Sequence, residues 1–389
     1  MPTAGLYVHI PFCRAKCAYC DFVSYPGLET LHGPYVQAVC QEIALQASPW
    51  AGFLFTSIYI GGGTPTVLAP DQLITLLEKS RECLHFAPQA EITTEANPGT
   101  VSWGALRALR QGGVNRLSLG VQSLQDDELA LLGRVHTAAE ALEAYGLARE
   151  AGFSNINLDL IFGLPGQSLE RWRETLERAL ALRPEHLSLY ALSVEEGTPL
   201  AERIAAGRLP PPDDALAARM YTLAEALLAQ KGYRHYEISN WARDEATGIV
   251  AGEFPRWACR HNLIYWRNEP YLGVGAAAYS YDGQRRWGNV PEVTEYIQGI
   301  WAGRGAVAQS ETLDAEKRLD ETMMLGLRLV RGILWEEIRQ RFGRDARTVY
   351  APQIAELTEA GLVIADGQGL RLTPRGRLLG NRAFAAFLR

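Results

Sequence analysis

From residue 6 to about residue 195 the chain alternates short apolar or β-branched runs with longer amphipathic stretches. The runs lie at 6–10, 57–60, 91–94, 116–121, 155–161 and 186–192. Between them, apolar positions recur at helical spacing over 35–46, 70–84, 101–111, 137–151 and 169–182, several opened by a capping residue or a proline. Strand and helix repeated in this order imply a parallel sheet with right-handed crossovers. Six such units predict an α/β fold, a partial (β/α)6 barrel rather than a closed eight-strand one.

Past the barrel, 196–199 and 210–214 read as loop and linker, and a helix is expected over about 215–230, leading to Tyr236-Glu237-Ile238-Ser239-Asn240. The irregular stretch 243–257, with Gly248, Gly252 and Pro255, predicts a surface loop over the barrel mouth. Helices at 314–329, 334–342 and 350–360, then a hairpin over 362–373 with an Asp366-Gly367 turn, predict a winged-helix-like module. The division expected is therefore a barrel core at 1–195, an extension at 196–311 and the C-terminal module at 312–389. Its candidate recognition helix carries few cations, so a docking or lid role is expected rather than DNA binding.

With 389 residues, 47% of them hydrophobic, the chain can bury a large core. No apolar run approaches the ~20 residues of a spanning helix, and the N-terminus lacks the pattern of a secretory leader, so a cytoplasmic location is expected. Cys40 and Cys83 fall in helical stretches and read as small apolar groups. The other clustered cysteines suit a reducing compartment. A formal charge of −6 argues against a dominant nucleic-acid role. Lys16, Lys79, Lys231 and Lys317 are the only lysines, a bias that a GC-rich genome explains.

The chemistry concentrates at Cys13-Arg14-Ala15-Lys16-Cys17-Ala18-Tyr19-Cys20, directly behind the first strand run. A structural zinc site needs four ligands, usually as paired clusters, and no second pair follows. A [4Fe-4S] cluster takes one thiolate per iron, so three cysteines would leave one iron open to a small molecule. The other strand runs end in Gly61-Gly62-Gly63-Thr64-Pro65, Glu95 and Gln122, with Asp159 inside the fifth, so one barrel mouth collects them all. The glycines allow either a tight turn or close backbone approach to a charged head group. Glu95 and Asp159, in apolar surroundings, each need a partner: a ligand's cation or ribose hydroxyls, or an arginine such as Arg134. Further on, Cys259 and His261 precede Tyr265 and Trp266. A lone histidine there is more often a satisfied core residue, but the set could also give a porphyrin an axial ligand and a flat wall.

The spacing CxxxCxxC after a first strand resembles that of the radical S-adenosylmethionine (SAM) proteins. Tyr7-Val8-His9-Ile10-Pro11-Phe12-Cys13, Gly61 through Thr66, Leu119-Gly120-Val121-Gln122-Ser123 and Asp159 through Gln167 are similar to their HemN-like branch. The resemblance implies a [4Fe-4S] cluster on Cys13, Cys17 and Cys20, with SAM chelating the open iron and an electron from the cluster splitting its sulfonium to a 5′-deoxyadenosyl radical. It implies SAM contacts by Gly62, Gly63, Thr64, Glu95, Gln122, Arg134 and Asp159, with Tyr7 and Phe22 beside the cluster and the adenine. Within that branch, His261-Asn262-Leu263-Ile264-Tyr265-Trp266 resembles the HNxxYW element of a haem-chaperone subgroup, and Phe22 follows its CxxxCxxCxF pattern. The resemblance thus implies haem as cargo and haem-accepting proteins as partners; acceptors at the membrane and a homodimer are compatible with it, and the sequence names neither the electron donor nor the oligomeric state. Porphyrinogen dehydrogenases carry a fourth cysteine and an N-terminal extension, so decarboxylation of coproporphyrinogen III is an alternative that the chain's features disfavour. A HemN-like methyltransferase and a DNA-binding regulator with a sensing cluster are the others. One departure stands out: where family members show Gly-Ala-Gly-Ala-His-Gly, this chain reads Gly275-Ala276-Ala277-Ala278-Tyr279-Ser280.

Overall fold

The computed structural model of the chain describes residues 1–244 and 254–388. The loop expected over the barrel mouth falls largely at 245–253, outside the described residues. The N-terminal half runs β1 (Thr3–Ile10), α1 (His32–Trp50), β2 (Leu54–Gly62), α2 (Pro70–Cys83), β3 (Phe86–Ala96), α3 (Trp103–Gln111), β4 (Arg116–Gln122), α4 (Asp126–Leu131), α5 (Ala138–Glu150), β5 (Ile156–Phe162), α6 (Leu169–Ala181) and β6 (His186–Ala191). Strands β1 to β6 pair in sequence order, all parallel. Helix starts follow local chemistry: Ser102 and Ser168 accept the N–H groups of Ala105 and Arg171, and Thr137 forms a reciprocal capping box with Glu140. The expected α/β partial barrel is the fold observed.

The middle segment, α7 (Pro199–Ala205), α8 (Asp214–Gln230), β7 (Tyr233–Glu237), β8 (Asn240–Arg243), α9 (Arg260–Trp266), β9 (Tyr271–Val274), β10 (Tyr279–Tyr281), β11 (Arg285–Asn289), α10 (Val293–Trp301) and β12 (Val307–Thr312), builds onto both edges of that sheet. Strand β9 lies parallel beside β1 and is followed outward by β10, β11 and β12, while β8 runs antiparallel to β6 and carries β7. Helix α9 packs against β1 and β2, where a methyl on Gly5 would come within 2.8 Å of Ile264 and 3.0 Å of His261. The C-terminal module comprises α11 (Ala315–Gly326), β13 (Ile333–Leu334), α12 (Trp335–Phe342), α13 (Ala346–Val349), α14 (Ala351–Glu359), β14 (Val363–Ala365), β15 (Gly369–Leu372), α15 (Pro374–Leu378) and α16 (Gly380–Ala385). Its antiparallel sheet, in the order β13-β15-β14, covers a core of its own around Leu319, Met323, Ile338, Tyr350 and Phe387.

The barrel strands have two distinct faces. Leu6, Val8 and Ile10, Ile58 and Ile60, Leu117 and Leu119, Leu158 and Leu160, and Leu187 and Leu189 join the apolar cluster shared with the surrounding helices. Because side chains alternate along a strand, the intervening positions face the lumen: Tyr7 and His9, Ser57 and Tyr59, Glu91 and Glu95, Arg116 and Ser118, Asn157 and Asp159, His186 and Ser188. Most of this polar set is buried, so the outer face drives folding, at about 1.5–3 kcal/mol per buried aliphatic side chain, while the inner face is available for chemistry.

The departed segment lies between β9 and β10, against the back of β1. The Gly275 N–H donates to Glu42 Oε2 at 2.8 Å, the Ala276 N–H donates to Tyr35 Oη at 2.9 Å, and Tyr35 in turn donates to the His9 carbonyl at 2.7 Å. Ala277 holds φ of +60°, a left-handed conformation, at the place where the family pattern has glycine. A side chain there costs about 1–2 kcal/mol, of which glycine's greater unfolded-state freedom returns part. Ala277→Gly is therefore expected to stabilise the protein by about 0.5–1 kcal/mol in a denaturant melt, and a destabilised variant would show that the strain is relieved elsewhere.

Candidate functional site

A cleft of about 360 Å³ opens at the carboxyl ends of the barrel strands. Its wall includes the cysteine loop, Gly62, Gly63 and Thr64 after β2, Glu95 at the end of β3, Gln122 after β4, Arg134, and Asp159 on β5. Cys13, Cys17 and Cys20 are free and half-buried along one side. The loop that carries them is pinned from several directions: Cys13 N–H to the Tyr25 carbonyl (3.2 Å), Ala18 N–H to the Leu132 carbonyl (3.0 Å), and Leu200 N–H to the Ala18 carbonyl (2.8 Å). The glycine loop packs directly beneath it. A methyl on Gly63 would stand 2.6 Å from the Phe12 carbonyl and 3.0 Å from Cys13 Sγ, and Gly62 has φ of +115° with the His9 ring where a Cβ would go. Close approach, rather than the turn alone, requires these glycines.

The N–H groups of Gly63 and Thr64 donate to the carbonyls of Ile10 and Phe12, both at 2.8 Å, and that of Gly62 donates to Glu95 Oε2 at 3.1 Å. The Thr64 carbonyl accepts from the Val67 N–H at 3.0 Å, so what this loop has left for a ligand is the carbonyl oxygen of Gly62 and Gly63, which suits an amino group. Glu95 also accepts from Tyr59 Oη at 2.8 Å. Burial, and then the charge of Asp159, push its carboxyl up to about 7. Asp159 accepts from Ser118 Oγ and Asn157 Nδ2, each at 2.9 Å, and burial raises its pKa too. Neither carboxylate forms an ion pair among the described residues. Arg134 instead points its Nη1 at Cys17 Sγ (3.3 Å) and its Nη2 at the Gly120 carbonyl (2.7 Å). Two carboxyl groups held by neutral donors in one cleft make a receptor for a cation or for hydroxyl groups. Gln122, at φ of +67°, is a non-glycine residue in the left-handed region where β4 ends, and such strain collects at ligand sites. Phe22 is 65% exposed on the cleft wall.

Tyr7 does not line the cleft. Its hydroxyl donates to His9 Nδ1 (2.9 Å), His9 Nε2–H donates to the Val23 carbonyl (2.9 Å), and its ring stacks 6.4 Å from that of Tyr59, so it braces the loop from the lumen. The Cys259 and His261 side chains lie deeper still. His261 is 1% exposed, with Nδ1 bonded to Ser57 Oγ at 2.8 Å and Nε2 to Tyr265 Oη at 3.0 Å. Burial, and then the Arg116 charge, hold its pKa down at about 3. Cys259 Sγ approaches Glu91 Oε1 at 3.5 Å, and burial pushes its thiol up to about 12. The arrangement is that of a satisfied core histidine: both ring nitrogens are occupied, and an axial bond to iron would require α9 to move. Trp266 faces the other way, its ring under the Arg328 guanidinium at 4.3 Å.

A chain of hydrogen bonds links the two ends of the lumen. Asn157 Nδ2 donates to Ser118 Oγ (2.7 Å) as well as to Asp159, its Oδ1 accepts from His186 Nδ1–H (2.6 Å), Tyr236 Oη donates to His186 Nε2 (2.8 Å), and the Cys259 N–H donates to Tyr236 Oη (3.1 Å). Arg116, 2% exposed, is the cation amid this set, and its charge favours the ionised forms of Glu95 and Asp159. Sequence reading missed Arg116, Tyr59, Ser118 and Tyr190. Ser118 shares the two-residue period of β4 with Gln122, whereas Arg116 opens that strand and Tyr59 on β2 and Tyr190 on β6 line the cleft on strands where no candidate side chain marks the inner face.

Residues 7–179 match the radical SAM superfamily and residues 313–379 the HemN C-terminal domain. A heme chaperone HemW of Bacillus subtilis is 37% identical over 383 residues, covering 98% of each chain. One of Lactococcus lactis is 35% identical over 382 residues, 98% of this chain and 96% of its own. Among solved structures, the coproporphyrinogen III oxidase HemN of Escherichia coli, a radical SAM enzyme, superposes with a TM-score of 0.84 at 27% identity, over 100% of this chain and 90% of its own. On these grounds, with six parallel strands and a cysteine loop at their carboxyl ends, the chain belongs to the HemN-like radical SAM family, within its HemW subgroup.

Proposed function

We propose that this chain is a cytoplasmic haem chaperone that holds a [4Fe-4S] cluster and SAM in the cleft, binds haem and passes it to acceptor proteins. The observation that carries the reading is similarity to HemW proteins over nearly the whole chain, joined to a phenylalanine at position 22 where porphyrinogen dehydrogenases have a fourth cysteine. The donor set suits the cluster: three half-buried thiols share one wall, and Arg134 directs an N–H at the sulfur of Cys17. When bound, a cluster with one iron free of protein ligands supplies an electron to the SAM sulfonium. The residues around it bind and orient. The Gly62 and Gly63 carbonyls and Glu95 receive the amino group, with Thr64 beside them, Asp159 and Gln122 the ribose and neighbouring polar atoms, Arg134 the carboxylate, and Phe22 the adenine.

Since an ionised Glu95 accepts the amino N–H groups of SAM better than a protonated one, SAM affinity is expected to rise as pH increases through about 7. Below that value protonation weakens binding by up to about tenfold per pH unit. Equilibrium dialysis between pH 6 and 7.5 reads this slope, and Glu95→Gln should bind weakly and flatten it. A wild-type affinity independent of pH over that range would remove the carboxylate from the SAM site.

Oxygen-independent decarboxylation of coproporphyrinogen III is the second reading, favoured by the match to the E. coli enzyme. Incubating the reconstituted protein with SAM, a reductant and coproporphyrinogen separates the two. The chaperone reading expects no decarboxylated porphyrin, and turnover would overturn it. Methylated product would point instead to a HemN-like methyltransferase.

A further inference from the structure

We infer that a second cavity, between the C-terminal end of α9 and the C-terminal module, seats the propionate edge of haem. This rests on the haem-binding reading above and gives it a place. The cavity has a volume of about 450 Å³, within the usual range for small-molecule sites of about 300–1,000 Å³. Trp266, Leu329, Ile333 and Ile338 supply apolar wall, and Arg267, Arg331 and Arg341 supply charge.

Two carboxylates share the cavity, and they leave the balance positive. Arg331 pairs with Glu337 at 3.0 Å, and Arg267 reaches Glu269 only at 3.7 Å. Arg341 has no carboxylate within ion-pair distance among the described residues; it donates to the carbonyls of Arg267, at 2.7 Å, and Asn268. Three donors of this lining, Trp266 Nε1–H, Arg267 Nε–H and Arg331 Nε–H, find no acceptor among the described residues. A buried donor left unmade is costly, and an anionic ligand is what these groups lack. Guanidinium groups match carboxylates in planar, two-point fashion, and an indole wall suits a flat ring. A macrocycle with an apolar body and two carboxylates along one edge meets both demands.

The inference assigns the two ends of α9 different tasks. His261 faces the lumen and stays with the barrel, while Trp266 faces the cavity and the cargo. It also gives the C-terminal module a role, because α11 and α12 contribute Thr322 and Ile338 to the lining.

The test is an anaerobic titration of the full reconstituted chain with haem, with haem whose propionates are methyl esters, and with metal-free protoporphyrin IX. Each is compared between wild type and the Arg267→Gln/Arg331→Gln double variant. Expected are saturable binding of haem and protoporphyrin by wild type, and at least about tenfold weaker binding both of the diester by wild type and of haem by the variant, with the cluster absorption and melting temperature kept. If the variant fails to fold, the diester comparison on wild type decides alone. Equal affinity for haem and diester removes the propionates from the cavity while the chaperone reading stands. No saturable binding of haem or protoporphyrin by wild type overturns both.

Discussion

Alanine at Cys13, Cys17 or Cys20 is expected to abolish the brown absorption of the reconstituted protein, reduce bound iron to background and remove SAM binding with it. Three thiolates serve three irons, and no thiol stands beside the loop to substitute: Cys40 lies on α1, Cys83 on α2, and Cys259 is buried at the far end of the lumen. Because the loop cysteines are only half-buried and the loop is held by backbone bonds to Tyr25, Leu132 and Leu200, the fold should survive each substitution. Cys40→Ala and Cys83→Ala should keep the full chromophore. Iron analysis alongside the visible spectrum reads the result, and a variant retaining a complete cluster would strike that cysteine from the ligand set.

Arg116→Met is expected to be the most damaging substitution to stability. It removes the guanidinium from a lumen that also holds Glu91, Glu95 and Asp159, and leaves buried carboxylates without their compensating charge. Leaving buried carboxyl groups without the cation in their lumen costs about 1–3 kcal/mol, a sizeable part of the usual margin of about 5–15 kcal/mol. Burial, and then the same charge, hold His261 and His186 neutral, so their pKa values should rise in the variant. Arg116→Lys should recover part of the loss. A chemical melt measures the cost, and a loss below about 1 kcal/mol would mean that the hydrogen-bond network alone satisfies these carboxyl groups.

The barrel was legible because its outer face is written in local pattern: Leu6, Val8 and Ile10, or Leu158 and Leu160, alternate as half-buried strands do, and helix caps such as Thr137 mark the crossovers. The extension strands were not. Strand β9 pairs with β1, and β8 with β6, across distances in the chain that no local period encodes. Among the candidate residues, those at strand ends came together in one cleft because topology alone carries them there. Cys259 and His261 show the limit: their types advertise ligation, but only the packing of α9 shows that they turn into the lumen. Arg116 shows the reverse case. A charged residue opening a strand reads as solvent-facing, and burial became visible only once the six strands closed around it.

The central claim, that the chain carries haem rather than converting a porphyrinogen, is tested most directly by loading the anaerobically reconstituted protein with haem, removing the excess, and following the Soret band as a haem-free acceptor protein is added. The account predicts saturable loading and movement of chemically unchanged haem to the acceptor. Absence of saturable loading, or a porphyrin product formed from coproporphyrinogen with SAM and reductant, would contradict it.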